Sequence, residues 1–192
     1  FPYLKFLKIE HISDICIAVF DSSRRTFNST TISLFLHRIP GLGEQFMYFN
    51  DDIFPVGDCR PEDYFRDGKV VIGISTYLFV SGMYKHHVKR SNQLARKALG
   101  KPAIPFFIRP QHSCIPMLKS ECDKVFHEQE EVIMNSLSRL RSNDNLNMSL
   151  YMSYMYYQGK VITKRIPCKH VSMAAVTPGS IGKYITYPSK SF

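Results

Sequence analysis

The sequence predicts an α/β fold, and three observations predict it. Uninterrupted apolar runs at 46–49 and 70–74 have the length and character of buried strands. Between and after them lie segments whose apolar residues recur three and four positions apart, the spacing of amphipathic helices. Several of those segments stop at a glycine, at Gly41, Gly100 and Gly159, as helices do. With 192 residues, 44% of them hydrophobic, the chain can bury a sizeable core and fits a single domain over 1–192.

In chain order, 1–27 is weakly patterned, with a strand and a loop expected within 9–17 and His11 and Asp14 polar among them. Asn28 and Ser29 then supply cap chemistry for a helix whose Ile32, Phe35, Leu36 and Ile39 share one face. Pro40-Gly41 stops it and returns the chain to the 46–49 strand, expected to be buried on both faces. Residues 55–69 read as a polar loop and 70–74 as a second buried strand. A helix is expected over 83–99, with Tyr84, Val88, Ala95 and Leu99 inward and Lys85, Lys89, Arg90, Arg96 and Lys97 on a solvated basic face. Three prolines make 101–111 an extended connector. Pro116 suits the first turn of a helix carrying Leu118, Cys122, Val125 and Phe126 inward. A further helical stretch begins at Glu128, the polar run 139–144 interrupts it, and Asp144 caps a last helix that buries Leu146, Leu150, Tyr154 and Tyr157. A strand is expected at 160–162.

The formal net charge is +9, with a pI near 9.3, which points to an anionic partner: nucleic acid, acidic lipid or a phosphorylated small molecule. Tyr and Phe sit mostly at core positions rather than between Lys and Arg, which argues against nucleic acid. No run of 18 apolar residues is present, and the first five residues lack the order of a secretory signal. Because the chain starts at Phe1, a fragment or processed product is expected. Cys16, Cys59, Cys114, Cys122 and Cys168 form no CxxC pair and no zinc spacing, and read as reduced thiols, most of them core filler. There is no phosphate-binding glycine motif and no GxSxG. His86-His87 reads as helix surface rather than a metal site.

Chemistry remains at the element ends. Asn50, Asp51 and Asp52 follow the 46–49 strand, where open α/β sheets bind ligands. Adjacent acids repel, and a cation between them relieves this; the same triplet also reads as a plain turn. With Asn28, His112, Arg139 and Arg141 they make a phosphoryl-transfer set: carboxylates for a divalent ion, arginines for phosphate oxygens, an imidazole for a hydroxyl proton. The bland alternatives are a His112 bonded to a loop carbonyl and arginines paired with 128–131.

Three segments resemble signatures of the Stealth family of sugar-1-phosphate transferases. Residues 26–54, including Thr26-Phe27-Asn28-Ser29, Leu36-His37-Arg38-Ile39-Pro40-Gly41 and Phe49-Asn50-Asp51-Asp52, resemble the longest. His112 to Ser120 is similar to a second, and Ser138-Arg139-Leu140-Arg141-Ser142-Asn143-Asp144 to a third. Departures are Ser33 in place of an acid, Ser113-Cys114 in place of x-Pro, Asn145 in place of an acid, and no Trp-Val-Asp-Gly opening or closing signature. The resemblance implies a Rossmann-like sheet flanked by helices and incomplete at its N-terminus, lacking part of the donor site. It implies transfer of a hexose or N-acetylhexosamine 1-phosphate from a nucleotide diphosphate sugar to a glycan hydroxyl, in capsule or exopolysaccharide synthesis. His112, Asp51, Asp52 and Arg141 would be catalytic, Asp51 and Asp52 holding Mg²⁺ or Mn²⁺. Asn28, Asn50, Arg139, His37 and Arg38 would bind substrate. A bacterial cytoplasmic location, extending to the inner face of the membrane, is expected. The rival is a basic binding module for nucleic acid or anionic glycan.

Overall fold

The computed structural model describes residues 26–50, 53 and 59–166. The strand and loop expected within 9–17, and Asp51, Asp52, Cys16 and Cys168, lie outside them. No helix among the described residues is long and apolar enough to cross a membrane.

The α/β class is present. Helix α1 (Ser29–Ser33) starts where expected, because Asn28 Oδ1 accepts from the Thr30 amide. A 3₁₀ turn, Leu36–Arg38, carries the chain to Gly41, whose φ of 77° favours glycine. Strand β1 (Gln45–Tyr48) follows. It is half-buried rather than buried on both faces, and among the described residues it pairs with β6 alone, antiparallel.

The expected loop 55–69 holds more structure. A short α2 (Pro61–Tyr64) leads into β2 (Phe65–Arg66), which folds back antiparallel on β3 (Lys69–Ile72). Asp67 and Gly68, at φ 50° and 69°, make the two-residue turn whose twist suits a hairpin. The expected strand 70–74 divides at Gly73 into β3 and β4 (Ile74–Tyr77). A Cβ on Gly73 would lie 2.4 Å from Gln111 Oε1 and 3.3 Å from Arg165 Cα, so a larger residue would displace the Gln111 side chain.

Helix α3 (Gly82–Ala98) matches the 83–99 expectation, and Gly100 ends it at φ 62°. The connector 101–111 contains β5 (Phe107–Pro110), antiparallel to β4. Pro116 lies in β6 (Ile115–Leu118) opposite Met47, not in a helix. A strand paired on one side tolerates the missing N–H there. Helix α4 (Lys119–Glu128) starts after it, its first turn held by Glu44: Ser120 donates to that carboxylate from its amide (3.1 Å) and hydroxyl (2.6 Å). The next helical stretch breaks at Gln129 and restarts as α5 (Glu130–Asn135).

The last helix, α6 (Ser149–Tyr157), starts later than Asp144. Asn147 Oδ1 takes the Ser149 amide at 3.0 Å, while Asp144 is exposed and faces Arg90 at 3.4 Å. Leu150, Tyr151, Met152, Tyr154 and Met155 are all buried, so α6 is apolar all round and forms the centre of the core. Helices α3 and α4 pack against it, and the Tyr151 hydroxyl donates to Leu34 O. Strand β7 (Val161–Thr163) adds to β3 in parallel. Cys114 and Cys122 fill the core as expected.

Candidate active site

Two sets of contacts bring the signature segments together. The first joins residues more than a hundred positions apart. Asn28, fully buried, donates from Nδ2 to Asn145 Oδ1 (2.9 Å) and Ser138 O (3.3 Å). Asn145 Nδ2 donates in turn to Ser136 O and Ser138 Oγ, both at 2.7 Å, and its Oδ1 takes the Ser142 amide at 2.8 Å. The Phe27 amide donates to Arg139 O (3.1 Å). This polar hub moulds 138–145 into a loop that presents Arg139 and Arg141 outward, both exposed. The Arg139 guanidinium lies 5.5 Å over the Phe27 ring, and Arg141 donates to Ser29 Oγ. Neither contact is the alternative pairing with 128–131; Glu128 instead takes the Tyr154 hydroxyl at 3.0 Å.

The second set is the β1–β6 ladder. Its last pair is Tyr48 with Ile115. The ladder thus ends two residues before Asn50 and three residues after His112. The Ile53 amide donates to Asn50 O at 3.2 Å. His112 lies on the β5–β6 connection, which is held firmly on both sides. Gln111 donates from its amide to Gly73 O (2.7 Å) and from Nε2 to Ile166 O (2.6 Å), and its Oε1 takes the Ile166 amide at 3.0 Å. The Ser113 amide donates to Gln111 O at 2.9 Å.

Two expected substrate contacts are corrected by burial. Asn28 uses both hydrogens of its amide in the hub, while its oxygen takes the Thr30 amide (3.1 Å) and hydroxyl (2.6 Å). It positions the arginine loop and has nothing left for a sugar. His37 is buried between the rings of Phe126 and Tyr151, each centroid 5.2 Å away. Burial lowers its pKa to about 4 against the opposing pull of Asp123, whose Oδ1 lies 3.6 Å from Nε2. A neutral, enclosed imidazole packs the core. Arg38 beside it is exposed, 5.5 Å over the Phe126 ring.

Sequence reasoning missed a second histidine. His86 is exposed as expected, but His87 is buried, and its Nε2 donates to Ser142 O at 2.6 Å. A carbonyl only accepts, so the proton sits on Nε2. Burial lowers its pKa, which keeps it neutral at neutral pH. Ser91, one turn further along α3, takes the Asn147 amide at 3.1 Å. The long basic helix therefore braces the arginine loop from behind. The only signal in the sequence was two polar residues on the apolar side of α3. Outside the loop, α3 and 78–80 border an open groove of about 530 Å³.

Among the described residues no three His, Cys, Asp or Glu gather as a metal site. The donors with the right chemistry, Asp51 and Asp52, follow directly on Asn50. Adjacent carboxylates are hard oxygen ligands, which suit Mg²⁺ or Mn²⁺.

Comparison with known proteins identifies relatives of the chain. Residues 5–72 match the family model for Stealth protein CR2, conserved region 2. The chain is 28% identical over 176 residues to a capsular polysaccharide phosphotransferase of Actinobacillus pleuropneumoniae, covering 83% of this chain and 44% of that protein. It is 33% identical over 159 residues to one of Haemophilus influenzae, covering 73% of this chain and 42% of that one. A receptor polysaccharide phosphotransferase of Streptococcus gordonii is 25% identical over 189 residues, 81% of this chain and 55% of its own. The chain thus spans about half the length of the curated relatives it matches. Over residues 5–72 it matches conserved region 2 of the Stealth family, and along most of its length it is similar to these polysaccharide phosphotransferases.

Proposed function

We propose that the chain contributes the phosphoryl-transfer centre of a polysaccharide phosphotransferase. That centre moves a hexose or N-acetylhexosamine 1-phosphate from a nucleotide diphosphate sugar to a glycan hydroxyl. The observation that carries this reading is the double anchoring of residues 26–50. One end is clipped to the arginine loop through Asn28 and Asn145, and the other runs along β6 toward His112. Residues 26–50 thus touch both the arginine loop and the strand that follows His112, which supports reading the three stretches as parts of one phosphate-handling site.

The acceptor hydroxyl oxygen attacks the phosphorus that carries the donor sugar. The bond from that phosphorus to the bridging oxygen breaks, and the nucleoside monophosphate leaves with the bonding pair. His112 takes the hydroxyl proton. Arg141, with Arg139 beside it, stabilises the charge gathering on the phosphoryl oxygens, where positioning and electrostatics supply most of the catalysis. Arg141 is exposed and held by one serine hydroxyl, so it can turn to a phosphate at small cost. Asn50 orients the substrate at the end of β1, and Arg38 adds a cation on the same segment. Asp51 and Asp52 would hold Mg²⁺ or Mn²⁺, whose charge, when bound, offsets that of the diphosphate.

Titration with UDP-N-acetylglucosamine and Mg²⁺, in parallel with heparin and RNA, tests the reading. Metal-dependent sugar-nucleotide binding lost on Asp51→Asn is expected. Salt-sensitive polymer binding that ignores Asp51→Asn, without sugar-nucleotide binding, overturns it in favour of a basic binding module.

A further inference from the structure

The charge of this chain is not spread over it. Residues 68–120 contain nine Lys and Arg and neither Asp nor Glu, while the remainder carries sixteen of each sign. The whole net charge therefore belongs to the stretch from the start of β3 to the start of α4, five of its nine cations on α3. The exposed large apolar side chains concentrate in the same stretch. Phe79 is 82% exposed and Leu78 55%, both on the turn between β4 and α3. Met83 and Tyr84 on the first turn of α3, and Phe106 just before β5, are at least 40% exposed.

These residues form one face. Tyr77, the last residue of β4, pairs with Phe107, which sets Leu78 beside Phe106 in register. Arg109 lies over the rings of Tyr77 (5.9 Å) and Tyr84 (5.3 Å), and Lys85 Nζ lies 5.1 Å over Tyr77. Leu78 and Phe79 also border the groove edged by His86, Lys89 and Arg90. The one acid among the described residues lining that groove, Asp144, is matched by Arg90 at 3.4 Å. An apolar tip ringed by cations results.

We infer that this face binds the surface of an anionic bilayer, with Leu78 and Phe79 entering the headgroup boundary and Lys85, Lys89, Arg90 and Arg109 meeting lipid phosphates. Charge complementarity selects an anionic partner. The shape of the tip selects lipid over polysaccharide. A glycan would stack on open ring faces, and the Tyr77 and Tyr84 rings already have Lys85 or Arg109 lying over them. What protrudes instead is Leu, Phe and Met, which have hydrocarbon and few hydrogen bonds to offer. The inference does not depend on the transferase reading.

The test is co-sedimentation of the chain with vesicles of phosphatidylcholine alone or with one-third phosphatidylglycerol, at low and high salt. Binding to the anionic vesicles alone, weakened by salt, is expected. The double substitution Leu78→Ser/Phe79→Ser should lower it about tenfold or more. Lys85→Gln and Lys89→Gln should each lower it about fivefold. All four side chains are at the surface, so circular dichroism melts should match the parent and confirm that the variants fold. Three results would overturn the inference. They are no vesicle binding by the parent, vesicle binding unchanged in Leu78→Ser/Phe79→Ser, and loss in that variant of self-association or heparin binding instead of vesicle binding.

Discussion

Replacing Asn28 with Ala separates a positioning residue from a sugar contact. The substitution removes the cap bond to the Thr30 amide, a loss of about 0.5–2 kcal/mol. It also removes the buried bond to Asn145 Oδ1, about 0.5–1.5 kcal/mol. Neither buried acceptor, Asn145 Oδ1 nor Ser138 O, is stranded outright. Asn145 Oδ1 keeps the Ser142 amide, and Ser138 O keeps the Thr26 hydroxyl. The expected total is therefore about 2–3 kcal/mol, at the lower end of what buried polar networks lose. Asn28→Asp should be no better, although Asp is a good cap. Its carboxylate keeps the Thr30 bond but faces Asn145 Oδ1 with no hydrogen to give. Urea unfolding of Asn28→Ala, Asn145→Ala and the double variant measures the coupling directly, expected to be at least ~0.5 kcal/mol. A stability for Asn28→Ala within ~0.5 kcal/mol of the parent, with only a raised KM for the sugar nucleotide, would refute the positioning role.

Three further outcomes follow from the packing. His37 has a folded pKa of about 4 against an ordinary 6.5, so the unfolded chain binds the extra proton between those values. Its contribution is complete above pH 6.5 and is lost as pH falls toward 4, about 3 kcal/mol in all. His37→Phe should flatten that part of a stability-versus-pH curve, and an unchanged slope would contradict the assignment. Gly73→Ala should cost about 1–3 kcal/mol, because the new methyl meets a Gln111 side chain tied to Ile166 and the Arg165 backbone 3.3 Å away; a thermal melt equal to the parent's would count against it. In an assayed transferase, His112→Ala should lower kcat about a hundredfold or more with little change in melting temperature. Near-parental turnover would remove His112 as the base.

Elements whose ends are decided locally were legible in the sequence. The Asn28 cap and the stops at Gly100 and Gly159 depend on neighbours within one turn, and each stands where expected. The Asp67-Gly68 hairpin was equally local and was overlooked only because its strands are two and four residues long. Pro116 misled for a different reason. A helix start and a strand edge both tolerate a missing N–H, and only the pairing with β1 decides between them. The substrate candidates failed where burial was the deciding variable. His37 and Asn28 carry polar groups on a segment that reads as a site, and nothing local reveals that one sits between Phe126 and Tyr151 and the other against Asn145. His87 shows the converse: read as surface, it is a buried brace for the loop at Ser142.

The account rests on the acids after β1 sharing a site with His112 and the arginine loop. Paramagnetic broadening by Mn²⁺ in the presence of UDP-N-acetylglucosamine tests this without relying on turnover. The expected result is selective broadening of the signals of His112 and 139–142, abolished by Asp51→Asn/Asp52→Asn. Broadening confined to the groove at His86 and Lys89, or surviving the loss of both acids, would contradict it.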